Sequence, residues 1–250
     1  MFEYSAPADV LKGRVILITG AGDGIGRACA LSCAAHGATV VLLGKTLAKL
    51  EEVYDQIEAN GHPQPAICPL NLETAVEKDY DDLADQLFET FGKLHGLVHN
   101  AALLGPRTML DNVKTDAWLQ LMQVNVNAPF MLTKAMMPLL RAASDASIVC
   151  VSSTVGRKGR AYWGPYAVSK FALEGFMQVL ADEQDGTSAI RVNSINPGAT
   201  RTAMRAKAYP GEPPEKNPEP AEITPAFLYL LGPESASVNG QALDAQQGRP

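Results

Sequence analysis

"RVILITGAGDGIGRACALSCAAHGATVVLL", residues 14–43, decides the fold. "RVILIT" (14–19) is a short β-rich apolar run ending in glycines, "GIGRACALSCAAHG" follows with a helical pattern, and "TVVLL" (39–43) is a second apolar strand. That is one βαβ unit, and the alternation continues outward from it. The pattern predicts a helix over about 46–60, a strand at "AICPL" (66–70), a helix over about 76–91 and a strand at "LHGLVH" (94–99). A long helix over about 115–142, a strand "SIVCVSS" (147–153), a helix over about 164–184 and a strand "AIRVNSI" (189–195) come next. Helices between near-continuous apolar strands imply a parallel sheet covered on both faces, a doubly wound α/β fold of about seven strands in one domain spanning 1–250. Residues 196–222 are proline-rich without an apolar period, and read as a long irregular segment of the kind that forms functional lids or is disordered. A short helix over about 221–231 and a strand around "GQALDA" (240–245) close the chain.

Composition agrees with one globular domain: 250 residues, 46% hydrophobic and 19% charged, with no repeat period. Twenty-one Lys and Arg against 27 Asp and Glu leave a net charge of −6, which argues against broad binding to nucleic acid or an anionic membrane. The N-terminal stretch lacks a basic region followed by an apolar one, and no run approaches the ~18 apolar residues of a membrane span, so a cytosolic protein is expected. Cys29, Cys33, Cys68 and Cys150 form no CxxC and read as core thiols. His36, His62, His95 and His99 lack metal-ligand spacing, so no metal is expected.

The first strand runs into "TGAGDGIG", whose glycines Gly20, Gly22, Gly24 and Gly26 do not fit G-x-G-x-x-G, because the sixth position from Gly20 is Ile25. The spacing is TGxxxGxG. Glycines there let a backbone approach a pyrophosphate at a helix N-terminus, where unpaired N–H groups and the helix dipole favour an anion. A merely tight strand-to-helix turn is the alternative. At the end of the second strand an acidic residue would accept hydrogen bonds from an adenosine ribose. Gly44 stands there, followed by Lys45, so a 2′-phosphate would meet a cation, and NADP(H) is favoured over NAD(H). The other reading of Lys45 is a solvated charge at a helix start.

"YAVSK" (166–170) places a tyrosine one helical turn before a lysine. A phenol titrates near pH ~10, and a cation within ~4–6 Å draws that value toward neutrality, making Tyr166 a candidate proton donor and acceptor. Pairs of this kind also meet on any exposed helix by geometry alone. Pro129 carries a second local signal. It has no N–H, so the helical bond to the Asn125 carbonyl cannot form and the helix should kink there.

Thr19-Gly20-x-x-x-Gly24-Ile25-Gly26 ahead of Tyr166-x-x-x-Lys170 resembles the classical short-chain dehydrogenase/reductases along essentially the whole chain. "MQVNVNAPF", "VGRKGRA", "PGATRTAMRA" and "DAQQG" are similar to the YciK-like bacterial short-chain oxidoreductases. The resemblance implies a Rossmann-type fold and hydride transfer between a nicotinamide nucleotide and a carbonyl/alcohol pair. Asn125, Ser153, Tyr166 and Lys170 are then the catalytic set. Tyr166 exchanges the proton, Ser153 orients the reacting oxygen, and Lys170 lowers the tyrosine pKa and holds the nicotinamide ribose. The free carbonyl of Asn125 holds a water that relays protons to the lysine. Gly20, Gly22, Asp23, Gly24, Ile25, Lys45, Asn71, Leu72, Asn100, Ala101, Tyr166, Lys170, Pro197, Gly198, Thr200 and Thr202 are expected to bind the nucleotide. A homodimer or homotetramer packed through the fourth and fifth helices is implied as well.

The chain departs from the family pattern at His99 and Ala102 in "HNAA", at Asn71 where many members place an aspartate, and at "DAQQG" where D-G-G is usual. Tyr162, Trp163 and residues 200–215 should line the cleft above the nicotinamide. Arg157, Lys158, Arg160, Arg201, Arg205 and Lys207 crowd there and point to an anionic substrate or carrier, with a solvated loop surface as the alternative. A nucleotide-sensing regulatory protein without turnover is the rival function.

Overall fold

The computed structural model describes residues 1–246. Among them seven strands form one parallel sheet in the order β3-β2-β1-β4-β5-β6-β7. They are β1 (Val15–Thr19), β2 (Thr39–Gly44), β3 (Ala66–Pro69), β4 (Gly96–His99), β5 (Ala146–Val151), β6 (Ile190–Asn196) and β7 (Ala242–Asp244). The helices are α1 (Gly24–Ala35), α2 (Leu47–Ala59), α3 (Glu77–Phe91), α4 (Thr115–Met122), α5 (Ala128–Arg141), α6 (Gly164–Gln184), α7 (Ala203–Ala208) and α8 (Thr224–Leu231). This is the expected doubly wound, Rossmann-type architecture.

Period-two alternation within each strand divides the core in two. Leu17, Val41, Leu43, Leu97, Ile148 and Cys150 point to the face covered by α3, α5 and α6, where Tyr80, Met136 and Met177 are fully buried. Ile16, Ile18, Val40, Leu42, Val98 and Val149 point to the face covered by α1, α2 and α8, where Cys29, Cys33, Val53 and Phe227 are fully buried. Both faces being dry explains why the strands read as near-continuous apolar runs. Cys150 is also buried, whereas Cys68 is half-buried. Among the described residues no helix is long and apolar enough to cross a membrane.

Three expectations change in detail. The helix expected over 115–142 is divided: α4 passes into a π-helical turn, Gln123–Asn127, before α5 begins. Pro129 occupies the first turn of α5, where its missing N–H is tolerated, and the wider turn bonds Ala128 N–H to the Gln123 carbonyl. Strand β5 ends at Val151, so Ser152 and Ser153 lie beyond it, and Ser153 caps a short 3-10 turn, Thr154–Gly156. The segment 196–222 is not irregular throughout. It contains α7, capped by the Thr202 hydroxyl accepting from Arg205 N–H, and 3-10 turns at Pro214–Lys216 and Pro220–Ile223.

Candidate active site

Strands β1 and β4 are neighbours from which the chain winds in opposite directions, so a crevice opens at their carboxyl ends. Thr19 ties the two ends together: its Oγ1 donates to the Val98 carbonyl at 3.2 Å and accepts from Asn100 N–H and Ala101 N–H, both at 3.0 Å. Asn100 Nδ2 returns the contact to the Thr19 carbonyl at 3.0 Å. The crevice is a cleft of about 480 Å³ whose walls include every nucleotide-binding residue expected from sequence, together with Ser153, Tyr166 and Lys170.

The glycine turn fits a pyrophosphate. A Cβ on Gly26 would lie 2.2 Å from the Gly20 carbonyl oxygen and 2.4 Å from Asn100 Nδ2, so only glycine lets α1 start this close to β1. Gly20 has φ of +67°, in the left-handed region. The side chain of Asp23, at the N-cap of α1, makes no capping hydrogen bond, which leaves the first-turn N–H groups free to meet an anion. Asp23 instead accepts from Lys49 Nζ at 2.5 Å, which holds its carboxyl below the usual range. Sequence reasoning missed Lys49 because the pair joins two helices 26 residues apart.

At the ribose end Gly44 and Lys45 border the cleft. Lys45 Nζ donates to Glu73 Oε1 at 2.7 Å, and Gln120 Nε2 donates to Glu73 Oε2 at 2.8 Å. A carboxylate therefore stands beside Lys45, supplied by the loop after β3 and not by β2. The hydrogen bond from Lys45 holds the Glu73 carboxyl below its ordinary range. The side-chain oxygen of Asn71 accepts Glu73 N–H at 3.2 Å, which leaves its second lone pair able to accept another hydrogen bond.

At the other end the first turns of α6 bring Tyr166 and Lys170 to the cleft beside Ser153. Burial pushes the Tyr166 phenol up to about 12, with the Ser153 hydroxyl drawing it down. This corrects the expectation that Lys170 lowers it. The Lys170 ammonium donates to the Val151 carbonyl at 2.6 Å and lies 5.6 Å from the Tyr166 ring centroid, so desolvation of the phenolate prevails. Burial also pulls Lys170 down to about 8.

Asn125 is buried and does not line the cleft. Its amide accepts Leu103 N–H at 2.8 Å and donates to the Leu103 carbonyl at 2.9 Å and Ser169 Oγ at 3.0 Å, joining the π turn, the loop after β4 and α6. Ser152 borders the cleft with its hydroxyl buried and unpaired. His99 bonds Thr133 Oγ1 at 2.7 Å, and burial beside the Lys170 charge lowers it to about 3, so it stays neutral. In "DAQQG", Gln246 Nε2 donates to the Pro197 and Ala199 carbonyls at 2.8 and 2.9 Å, fixing the turn that holds Gly198; Gln247 and Gly248 lie outside the described residues.

Of the residues expected to cover the reacting end, Trp163, Thr200, Thr202, Ala203, Met204, Arg205 and Ala208 line the cleft; Tyr162, at φ of +69°, does not. Leu103 and Leu104 line it unexpectedly. The basic cluster is largely engaged within the chain. Arg205 makes a bidentate pair with Glu212 at 2.6 and 2.7 Å, Arg201 pairs with Glu219, and Arg157 pairs with Asp244 and Glu174. Arg160 donates to the Tyr209 hydroxyl at 3.2 Å.

A Rossmann-type sheet with a glycine turn at one end of its crevice and Ser153, Tyr166 and Lys170 at the other matches the profile described as short chain dehydrogenase, over residues 14–213, and the chain belongs to that family. It is similar to YciK of Escherichia coli K12, described as an uncharacterized oxidoreductase, with 48% identity covering 98% of this chain and 97% of that one. A solved short chain dehydrogenase from Pseudomonas syringae is 60% identical, with a TM-score of 0.97 over 98% of this chain and 100% of the other. Another, from Shigella flexneri 2a in complex with NADP, is 48% identical with a TM-score of 0.94, covering 96% of this chain and 100% of that one. The chain is accordingly a short-chain oxidoreductase.

Proposed function

We propose that this oxidoreductase transfers hydride between NADP(H) and a carbonyl/alcohol pair, with Tyr166 exchanging the proton at the reacting oxygen. The observation that carries this reading is one continuous cleft joining the glycine turn to Ser153, Tyr166 and Lys170. The nucleotide, when bound, supplies or accepts the hydride. The first turn of α1 and the Gly20–Gly26 backbone would hold its pyrophosphate, Asn71 and Leu72 its adenine, and the segment Pro197–Thr202 its nicotinamide end. NADP(H) is preferred to NAD(H) because Lys45 offers a cation for the 2′-phosphate and β2 ends in Gly44, with no carboxylate of its own; the NADP complex of the Shigella relative supports this.

With a pKa of about 12, Tyr166 is protonated at neutral pH and donates to the oxygen that gains charge during reduction. Ser153 hydrogen-bonds the same oxygen and orients it. Lys170, cationic below about 8, holds the nicotinamide ribose hydroxyls, and the Ser153 hydroxyl stabilises the phenolate left behind. Asn125 positions α6 and the Leu103 loop, and its backbone oxygen holds the water that carries protons toward Lys170. The protein works in the cytosol as a homodimer or homotetramer packed through α4, α5 and α6, where Leu119, Phe130, Phe171 and Val179 are exposed.

Tyr166→Phe tests the reading. Turnover of an NADPH-dependent carbonyl reduction should fall by at least about 100-fold while NADPH affinity, read by fluorescence titration, stays within about threefold. Equal turnover in both forms would remove Tyr166 from the chemistry. Nucleotide binding with no turnover by the wild type on any carbonyl would favour a nucleotide sensor.

A further inference from the structure

Resting on the reductase reading above, we propose that the substrate is a neutral, mainly apolar carbonyl compound, selected by a wall of Leu104, Trp163, Met204 and Ala208. Leu104, Trp163 and Ala208 belong, with Tyr166, to a third apolar cluster distinct from the two cores on the sheet faces, and Met204, Leu103 and Tyr209 pack against it. A cluster in this position does not brace the sheet. It packs against the ring of the proposed proton donor, the Trp163 and Tyr166 ring centroids lying 5.9 Å apart, at the end of the cleft where the substrate carbonyl must come.

The polar groups at this end that lack a partner are uncharged: Trp163 Nε1 and the Ser152 hydroxyl are buried without one. The Asn125 amide is engaged by Leu103 and Ser169, and the Lys170 ammonium by the Val151 carbonyl. The Ser153 and Tyr166 hydroxyls remain to meet one substrate oxygen. Arg205, the arginine that lines the cleft, is held by both oxygens of Glu212, and its guanidinium lies over the Tyr209 ring at 3.9 Å.

Arg107 forms no salt bridge among the described residues. It stacks on Trp163 at 4.6 Å and Tyr209 at 4.8 Å, donates to the Ala208 carbonyl, and does not line the cleft. Its charge thus backs the aromatic wall and binds the loop after β4 to the end of α7. Lys158 and Lys207 are exposed and away from the cleft walls. A carboxylate seated here would lose its water and find Arg205 already paired with Glu212 and Arg107 held behind the aromatic rings, whereas each methylene placed against the wall gains about fourfold in affinity.

The test pairs para-methylbenzaldehyde with its para-carboxylate counterpart, which share the aldehyde-bearing ring and differ in the charge of the para group. Two readouts are taken: kcat/KM with NADPH, and quenching of Trp163 fluorescence in a Trp118→Phe background with NADP present. The neutral aldehyde should be favoured by about 100-fold or more in kcat/KM, and it alone should quench saturably. Met204→Arg, a change on a partly exposed helix, should narrow that preference by at least about tenfold by adding an unpaired cation to the wall. Equal or better binding and turnover of the carboxylate by the wild type would overturn the proposal. Absence of turnover with both aldehydes would count against the reductase reading, and the quenching titration would still decide which charge the site accepts.

Discussion

Methionine in place of Lys170 removes a charge that folding buries at a cost. The ammonium is almost fully buried and titrates at about 8, against 10.5 for an ordinary lysine. Its folded-state pKa is lowered, so at pH 7 the wild type holds the proton in both states and bears the whole penalty, about 3 kcal/mol. As pH rises through about 8 the folded protein releases the proton while the unfolded chain keeps it to 10.5, and the wild type gains stability. Between pH 7 and pH 9.5 that gain is about 2 kcal/mol, which for an unfolding entropy of ~2.1 cal/mol/K per residue over this chain is about 4 °C in Tm. Losing the hydrogen bond to the Val151 carbonyl shifts the variant by an amount that does not depend on pH. Tm measured by circular dichroism on wild type and Lys170→Met across this range should therefore converge on the wild type's side by about 4 °C. A difference in Tm that stays constant with pH would refute the claim that the site holds a desolvated lysine.

Glu73→Gln releases Lys45 from its ion pair and removes a negative charge from beside the proposed 2′-phosphate site. NADPH should bind up to about fivefold more tightly, an effect of about 1 kcal/mol for a pair this exposed, with NADH unchanged; equal shifts for both nucleotides would contradict the assignment of Lys45. Gly26→Ala forces a Cβ to within 2.2 Å of the Gly20 carbonyl oxygen, so Tm should drop by about 2–6 °C and nucleotide binding should weaken with it. Unchanged binding in that variant would mean the turn does not carry the pyrophosphate.

The sheet and the cleft were legible because their signals are local. Residues 14–43 switch from strand to helical period across a glycine turn, and the YAVSK spacing puts two side chains on one helical face. Pro129 announced a break in its helix through a missing donor, though not that the break would be a π turn. What stayed hidden depends on distance. Glu73 reaches Lys45 from the loop after β3, Lys49 reaches Asp23 from another helix, and Glu212 reaches back to Arg205, so three cations that sequence alone leaves free have carboxylate partners. Helix α7 is six residues long, too short for an apolar period to register. The Tyr166 pKa went the other way from expectation because its largest cause is burial, which spacing does not encode.

Hydride transfer itself is the claim that everything at this site serves. NADPH carrying deuterium on both hydrogens of its reactive ring carbon, incubated with the protein and para-methylbenzaldehyde, reads it directly by mass spectrometry of the alcohol. The expected product carries one deuterium on the carbinol carbon, formed by the wild type and at least about 100-fold more slowly by Tyr166→Phe. An alcohol formed without the label, or formed equally by both proteins, would contradict it.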